Sequence, residues 1–499
     1  MKRIIASILL AVIMLTCVVG TLSSCGNKSK VPPELTEIPA GGYDGSEVTI
    51  TFYHTMGAAL TGILTDAIGA FNQLYPNITV QHQSYGNYDA LLEQIRTEIT
   101  AGNQPSLAYC YPDHVAEYNE SLVVQPLDIF VQSQIEQKRA DDSTEIIGYT
   151  QEQLDDFIDA YYKEGTSYAD GKMYSIALAK STEVLYYNEE ALIAAGVVDA
   201  DGNAAPPKTW DELEEACRKL KAKFPNDIPL GYDSESNWFI TMCEQYGSPY
   251  TSATGDHFLF NDKANRDFVN RFRALYQEKL VTTQELSGGY TSALFTGNVK
   301  ADDKDSAAAK GTRCYMCIGS TGGASYQQPK ANSNNANGYD FTVGIAPIPQ
   351  VDPDNAKVIS QGPSLCVFKK HNPQEVIASW LFAKFLTTNV EYQARVSQSN
   401  GYVPVMRSVQ DDPTYKKFIA KADENPTQFI TAYAVKVALS EAENCYTSPA
   451  FFGSSDARIQ VGYLIQKCFS MEGPAQLPDD QLKAIFDDYV YKCKYAIGQ

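Results

Sequence analysis

The sequence predicts an α/β protein of two lobes with largely parallel sheets. Short apolar runs rich in β-branched and aromatic residues alternate with segments whose apolar positions recur at helical spacing. About 450 residues lie beyond an N-terminal leader and a loose stretch, enough for two domains with well-filled cores.

The leader opens with Lys2 and Arg3, is almost wholly apolar from Ile4 to Gly20, and then turns small and polar. That order is a secretory signal. A spanning helix needs about 20 apolar residues and does not usually end in Ser-Ser-Cys. The window Leu22-Ser23-Ser24-Cys25 resembles a bacterial lipobox, which makes 1–24 a lipoprotein signal peptide and Cys25 the acylated residue of a membrane-anchored chain. Residues 25–45, with Pro32, Pro33, Pro39, Gly41 and Gly42, read as a flexible tether.

Next comes a βαβαβ series. "EVTITFYHT" is a strand, and Leu60, Ile63, Leu64, Ile68 and Phe71 mark a helix that Pro76 ends. "NITVQHQSY" is the second strand, "YDALLEQIRTEITAG" the second helix and "SLAYCYP" the third strand. Tyr53-His54, Asn87-Tyr88 and Tyr111 to Asp113 therefore fall at or after strand C-termini, the edge where open α/β sheets bind ligands. The first loop, "HTMGAALTG", has neither G-x-G-x-x-G nor a P-loop, so nucleotide cofactors are not expected.

Further along, "GKMYSIALAKSTEVLYYNEEALIAAGV" reads strand, crossing segment, strand, helix. Thr209 and Glu212 form a capping box at the start of "WDELEEACRKLKAKFP". "QQPKANSNNANG" is a polar surface loop, "FTVGIAPIPQ" and "SLCVFKK" are strands, and "QEVIASWLFAKFLTT" is an amphipathic helix.

Formal net charge is −20, which disfavours nucleic acid and a basic membrane-binding face. Of 11 cysteines, Cys17 and Cys25 fall in the leader and at its end, leaving nine. Cys314 and Cys317 have C-x-x-C spacing, but no second pair completes a metal site, and in the strand "CYMCIGS" they point to opposite faces. His54 and His114 meeting across a cleft mouth would be the remaining route to a metal. No G-x-S-x-G and no H-E-x-x-H is present, and abundant carboxylates alone do not make a glycoside hydrolase.

The stretches "YADGKMYSIALAKSTEVLYYNEEAL", "PKTWDEL", "VGIAPIPQ…QGPSLCVF" and "NGYVPVMRS", in this order from about Glu47 to Asp487, resemble the family 1 extracellular solute-binding proteins of ABC importers. The resemblance implies a two-lobed periplasmic-binding-protein-like fold, each lobe a sheet flanked by helices, with the ligand cleft between lobes that close by hinge motion. It places lobe one at 46–180 plus 343–398 and lobe two at 182–342 plus 400–499, with crossings near Ser181, Thr342 and Ser399. It also implies a monomer outside the cytoplasm that performs no chemistry, needs no cofactor and delivers its solute to a permease. A surface adhesive lipoprotein is the remote alternative.

"GNYDALL", "STEVLYYN", "GSTGG", "QGPSL" and "NGYVPV" are especially similar to the glycerol-3-phosphate-binding subgroup. By that resemblance Tyr88, Ser181, Ser320, Gly362 and Tyr402 belong at the ligand. The subgroup's phosphate-binding arginine falls near Phe452, where Arg458 is the nearby candidate, and its glutamate falls at Pro112-Asp113. The phosphate pattern is thus not clearly matched, and a neutral carbohydrate is expected. Tyr53, Tyr111 and Trp238 are further stacking candidates, because sugars present apolar C–H patches beside hydroxyls. Asp113 either accepts sugar hydroxyls or caps a helix. Arg407 is expected to bond loop backbone.

Overall fold

The computed structural model describes residues 31–499, so the expected signal peptide (1–24), Cys25 and residues 26–30 lie outside the described residues. The chain forms β1 (Val48–His54), α1 (Ala58–Leu74), β2 (Ile78–Ser84), α2 (Tyr88–Ala101), β3 (Leu107–Cys110) and α3 (Pro112–Asn119) in the expected series. After α4 (Asp159–Glu164), the short strands β4 (Ile176–Ala177) and β5 (Ala179–Lys180) lead to β6 (Glu183–Asn188). There follow α5 (Trp210–Lys223), β7 (Leu230–Tyr232), α6 (Glu235–Tyr246), β8 (Val281–Thr283), β9 (Met316–Ser320) and β10 (Val343–Pro347). The remainder includes β11 (Val358–Ile359), β12 (Ser364–Val367), α7 (Pro373–Thr388), α8 (Val390–Asn400), β13 (Val403–Pro404), α9 (Ile430–Ser440), β14 (Cys445–Tyr446) and α10 (Ser454–Ser470).

Two five-stranded sheets result, ordered β2-β1-β3-β12-β4 and β8-β7-β9-β6-β10. Both are mixed rather than wholly parallel. In the first, β12 runs against β3 and β4; in the second, β6 runs against β9 and β10. The reversed strand in each sheet is the one by which the chain enters that lobe from the crossing. A strand that begins at the cleft edge must oppose the parallel strands that end there.

Three expectations about chain path change. Val343–Pro347 pairs with β6 in register from Val343–Asn188 to Pro347–Val184, so it belongs to the second sheet and not to lobe one. The return crossing comes later, where Gln361 bridges Ser181 through paired backbone bonds of 2.9 Å. Residues 400–442 do not all join lobe two, since Val403, Val405, Tyr415, Val435 and Ala438 sit in the first core. α9 spans both lobes, adding Ile430 and Ala434 to the apolar cluster on one face of the second sheet.

Residues 31–45 are not a loose tether. The Gln125 side chain receives the Leu35 N–H and donates to its carbonyl, both at 2.9 Å; Gln137 does the same for Tyr43 at 2.7 and 3.1 Å. These two amides act as short strand partners and seat Ile38 and Tyr43 in the core. α7 is buried nearly all round rather than amphipathic. Its outer side is covered from far upstream: Phe130 stacks on Trp380 at 5.4 Å and the Trp380 indole donates to the Ile147 carbonyl at 2.8 Å. Thr209 and Glu212 do form the capping box of α5.

The nine cysteines among the described residues are unbridged, and all but Cys445 are buried. Cys314 and Cys317 do not point to opposite faces of a strand: Cys314 precedes β9, and both lie in one apolar cluster against Thr291, the Cys317 sulfur 3.1 Å from its hydroxyl and the Cys314 sulfur 3.8 Å from its carbonyl oxygen. No described helix is long and apolar enough to cross a membrane.

Candidate functional site

The cleft is built where the two sheets present their ligand edges to each other. On the lobe-one side, Asn87 caps α2 by accepting the Ala90 N–H at 2.8 Å, which fixes Tyr88 in the first turn. Tyr111 follows β3, and its ring lies 4.5 Å from that of Tyr88, centroid to centroid. The Tyr88 hydroxyl is buried near Thr55, Tyr111 and Tyr402 and closes no well-formed hydrogen bond. Burial pushes its ionisation well above the ordinary phenol range, so it is a neutral donor and acceptor.

The crossing supplies the next groups. The Ser320 hydroxyl donates to the Ser181 hydroxyl at 3.2 Å and accepts the Gly322 N–H at 3.2 Å. Tyr402 lies with its ring against Gly322. Gly362 has φ +89°, and a Cβ there would lie 3.0 Å from Lys180 Cα and closer still to the Ala179 carbonyl; only glycine allows the two crossings to touch. Its N–H faces the Tyr111 hydroxyl. Tyr88, Ser181, Ser320, Gly362 and Tyr402 therefore gather at one place.

Beneath them, the buried Lys180 ammonium pairs with the buried Glu164 carboxylate. Lys180 also donates to Ser364 Oγ at 3.0 Å and to the Gly362 carbonyl at 3.2 Å. Glu164 accepts from Ser364 at 2.8 Å, Ser360 at 2.8 Å and Thr447 at 3.3 Å. One ion pair thus ties α4, β5, the return crossing and the segment after β14.

On the lobe-two side lies a cavity of about 350 Å³ lined by Glu183, Asp233, Asn237, Ser320, Gln327 and Gln361 among others. Glu183 accepts from the Tyr232 hydroxyl at 2.6 Å and from Asn237 Nδ2 at 2.8 Å, and Asn237 Oδ1 in turn accepts from Arg458. Burial pushes the Glu183 carboxyl up to about 7, against those two hydrogen bonds and the charge of Arg458. Burial likewise raises Asp233, against bonds from Thr291. Between the lobes, a recess of about 290 Å³ sets Tyr88, Tyr111 and Asp113 opposite Asp456 and Arg458 of α10.

Other candidates go elsewhere. Trp238 is 1% exposed and forms core, stacked between Tyr232 and Trp210 at 5.0 and 6.4 Å. It lies on the inner face of α6, while its neighbour Asn237 reaches the cavity. Tyr53 packs on Tyr85 at 5.1 Å and lines neither recess. Asp113 does not cap α3, whose N-cap position is Tyr111 with no side-chain cap bond; its carboxylate accepts the adjacent His114 N–H at 3.0 Å inside the first turn and lines the interlobe recess.

His54 does not meet His114. Its Nδ1 accepts the Met56 N–H at 3.1 Å, so Nε2 carries the proton and donates to His82 Nδ1 at 3.1 Å. Burial lowers its pKa to about 4. Among the described residues no group of three His, Cys, Asp or Glu side chains is placed to hold a metal ion. Arg407 donates to the Asp155 carbonyl at 3.2 Å and to the Phe157 carbonyl, as the loop-backbone expectation required.

Sequence reasoning missed Glu183, Asp233, Asn237, Gln327 and Gln361. One signal was present: Glu183 opens the otherwise apolar strand "EVLYYN" two positions after Ser181, and an acid at the buried start of a strand needs a reason.

The profile of the family described as bacterial extracellular solute-binding protein matches residues 66–423. The chain is 25% identical over 371 residues to the sn-glycerol-3-phosphate-binding periplasmic protein UgpB of Escherichia coli (strain K12), covering 73% of this chain and 75% of that one. Its fold is similar to the cyclic alpha-maltosyl-1,6-maltose binding protein from Arthrobacter globiformis, with TM-score 0.64 and 16% identity over 90% of this chain and 99% of that one. It is also similar to UgpB from Mycobacterium tuberculosis in complex with glycerophosphocholine, with TM-score 0.64 and 17% identity over 90% and 98% of the two chains.

Proposed function

This chain belongs to the bacterial extracellular solute-binding protein family, which is non-catalytic, and from that premise we propose that it captures a mono- or oligosaccharide in the interlobe cleft and delivers it to the permease of an ABC importer. The observation that carries this reading is the lobe-two lining. Carboxylates, amides and hydroxyls of Glu183, Asp233, Asn237, Ser320, Gln327 and Gln361 offer the hydrogen bonds a polyhydroxylated ligand needs. An anionic phosphate in that cavity would face Glu183 and Asp233 at close quarters. The sugar ligand named for the Arthrobacter relative agrees with this reading.

Glycerol-3-phosphate or a glycerophosphodiester is the second reading. It is favoured by UgpB and by Arg458, whose guanidinium stands at the interlobe recess opposite Tyr111. A thermal-shift screen with simple sugars, oligosaccharides and glycerol-3-phosphate separates the two. A ligand at about 100 times its Kd adds roughly 2.7 kcal/mol of stability. Stabilisation by saccharides and not by glycerol-3-phosphate is the expected result; the reverse pattern would replace the carbohydrate reading.

Acylation of Cys25, holding the protein at the outer face of the membrane, completes the proposal. Radiolabelled palmitate should enter the wild type and fail to enter Cys25→Ser.

A further inference from the structure

The lobe-two cavity has an unusual balance of hydrogen-bonding groups. Gln327 is only 2% exposed and lines it, with its amide nitrogen turned to the Cys317 sulfur at 3.4 Å and its carbonyl oxygen without a partner. The Gln361 carbonyl oxygen is also buried and unpartnered. Both side-chain hydrogen bonds that reach Asp233 fall on Oδ1, from the Thr291 N–H at 2.8 Å and the Thr291 hydroxyl at 2.7 Å. A Cβ at Gly319 would lie 2.8 Å from Asp233 Oδ2 and 3.2 Å from Gln327 Nε2, so bare backbone there leaves room for both side chains. The lining thus includes acceptor atoms on Gln327, Gln361 and Asp233 that no side-chain donor meets, beside the two Glu183 oxygens, which already accept from Tyr232 and Asn237.

Of the described residues lining it, Lys300 alone is cationic. Its ammonium rests over the rings of Tyr290 and Tyr326 at 5.2 and 4.9 Å. Those two tyrosines are 51% and 61% exposed, so the cavity is flanked by two aromatic faces already holding an ammonium.

We propose that this cavity seats an amino group of the solute: the ligand is an aminated saccharide whose ammonium settles among Glu183, Asp233, Gln327 and Gln361, with a sugar ring against Tyr290 or Tyr326. The proposal rests on the carbohydrate reading above and narrows it. An ammonium brings three donors and a positive charge to two carboxylates that burial chiefly, and neighbouring carboxylates in addition, penalise. A neutral hydroxyl brings one donor and no charge, leaving that penalty in place.

Isothermal titration of the purified protein with β-1,4-linked glucosamine dimer and trimer, against the matched glucose and N-acetylglucosamine oligomers, tests this. The aminated oligomers should bind at least tenfold more tightly than the neutral ones. In Glu183→Gln the ratio of aminated to neutral affinity should fall by tenfold or more. The exposed Lys300→Ala, which leaves the interior untouched, should raise affinity for the aminated oligomers about threefold by removing a competing cation. Equal or tighter binding of the neutral oligomers would overturn the amine proposal and leave the carbohydrate reading standing. Binding of none of the three sets, with glycerol-3-phosphate still bound, would overturn both.

Discussion

Glu164 and Glu183 stand on either side of the first crossing, both closed off from water, and their surroundings differ in one respect. Glu164 has a lysine ammonium against it and hydroxyls on both oxygens. Glu183 has only a phenol and an amide in contact, with the nearest guanidinium one residue removed behind Asn237. A carboxylate matched by a cation has nothing left to offer a ligand and serves to hold chain segments together. A carboxylate matched by neutral donors keeps an unspent preference for positive charge. The lobes are tied by the first and the cavity is tuned by the second.

The largest test of that contrast removes one member of the tie. Glu164→Ala or Lys180→Ala leaves its partner buried and uncompensated, at a cost of about 3–5 kcal/mol in urea unfolding. A loss below about 1 kcal/mol would show that the pair holds nothing. Glu183→Gln should act in the opposite direction. The folded-state pKa of Glu183 is about 7 against an ordinary 4.5, so the folded chain keeps a proton that the unfolded chain releases. Stability from this group is therefore intact below pH ~4.5, is lost as pH rises to ~7 and stays level above that, a total of roughly 3 kcal/mol. Glutamine should abolish the slope and leave the variant more stable at pH 8; an unchanged pH profile would refute the contrast.

Smaller effects are expected at the proposed binding groups of the cleft. Tyr88→Ala and Tyr402→Ala should each weaken ligand tenfold or more, about 1–3 kcal/mol, because a buried hydrogen-bonding group is deprived of its partner. Unchanged affinity in both would remove the cleft assignment. The smallest effect marks the exposed end of the scale: Arg407 pairs with Glu443 at 2.7 Å, with side chains 40% and 60% exposed. Glu443→Ala should cost under about 1 kcal/mol, and less at high salt.

Much of this was legible in the sequence because it is local. The βαβαβ start follows from residue periodicity, and the capping box of α5 from four residues. What was not legible depends on a distant partner. Residues 31–45 look loose by composition and are held by Gln125 and Gln137, about ninety residues away. α7 is covered on its outer side by Phe130 and Ile147. Trp238 and Asn237 are consecutive on one helix, and only the packing of α6 decides which turns inward. The cavity itself is assembled from β6, the end of β7, the end of β9 and the return crossing, so no single stretch of sequence carries its signature.

The unbridged cysteines have a practical consequence. Each core holds its own: Cys110 and Cys366 belong to the first, and Cys217, Cys243, Cys468 and Cys493 to the second. Shielded thiols react with an alkylating reagent only when their surroundings open, so mass-resolved labelling over time gives a separate clock for each lobe. Cys445, the one half-buried thiol among the described residues and packed against both cores, should mark first and set the zero of both clocks.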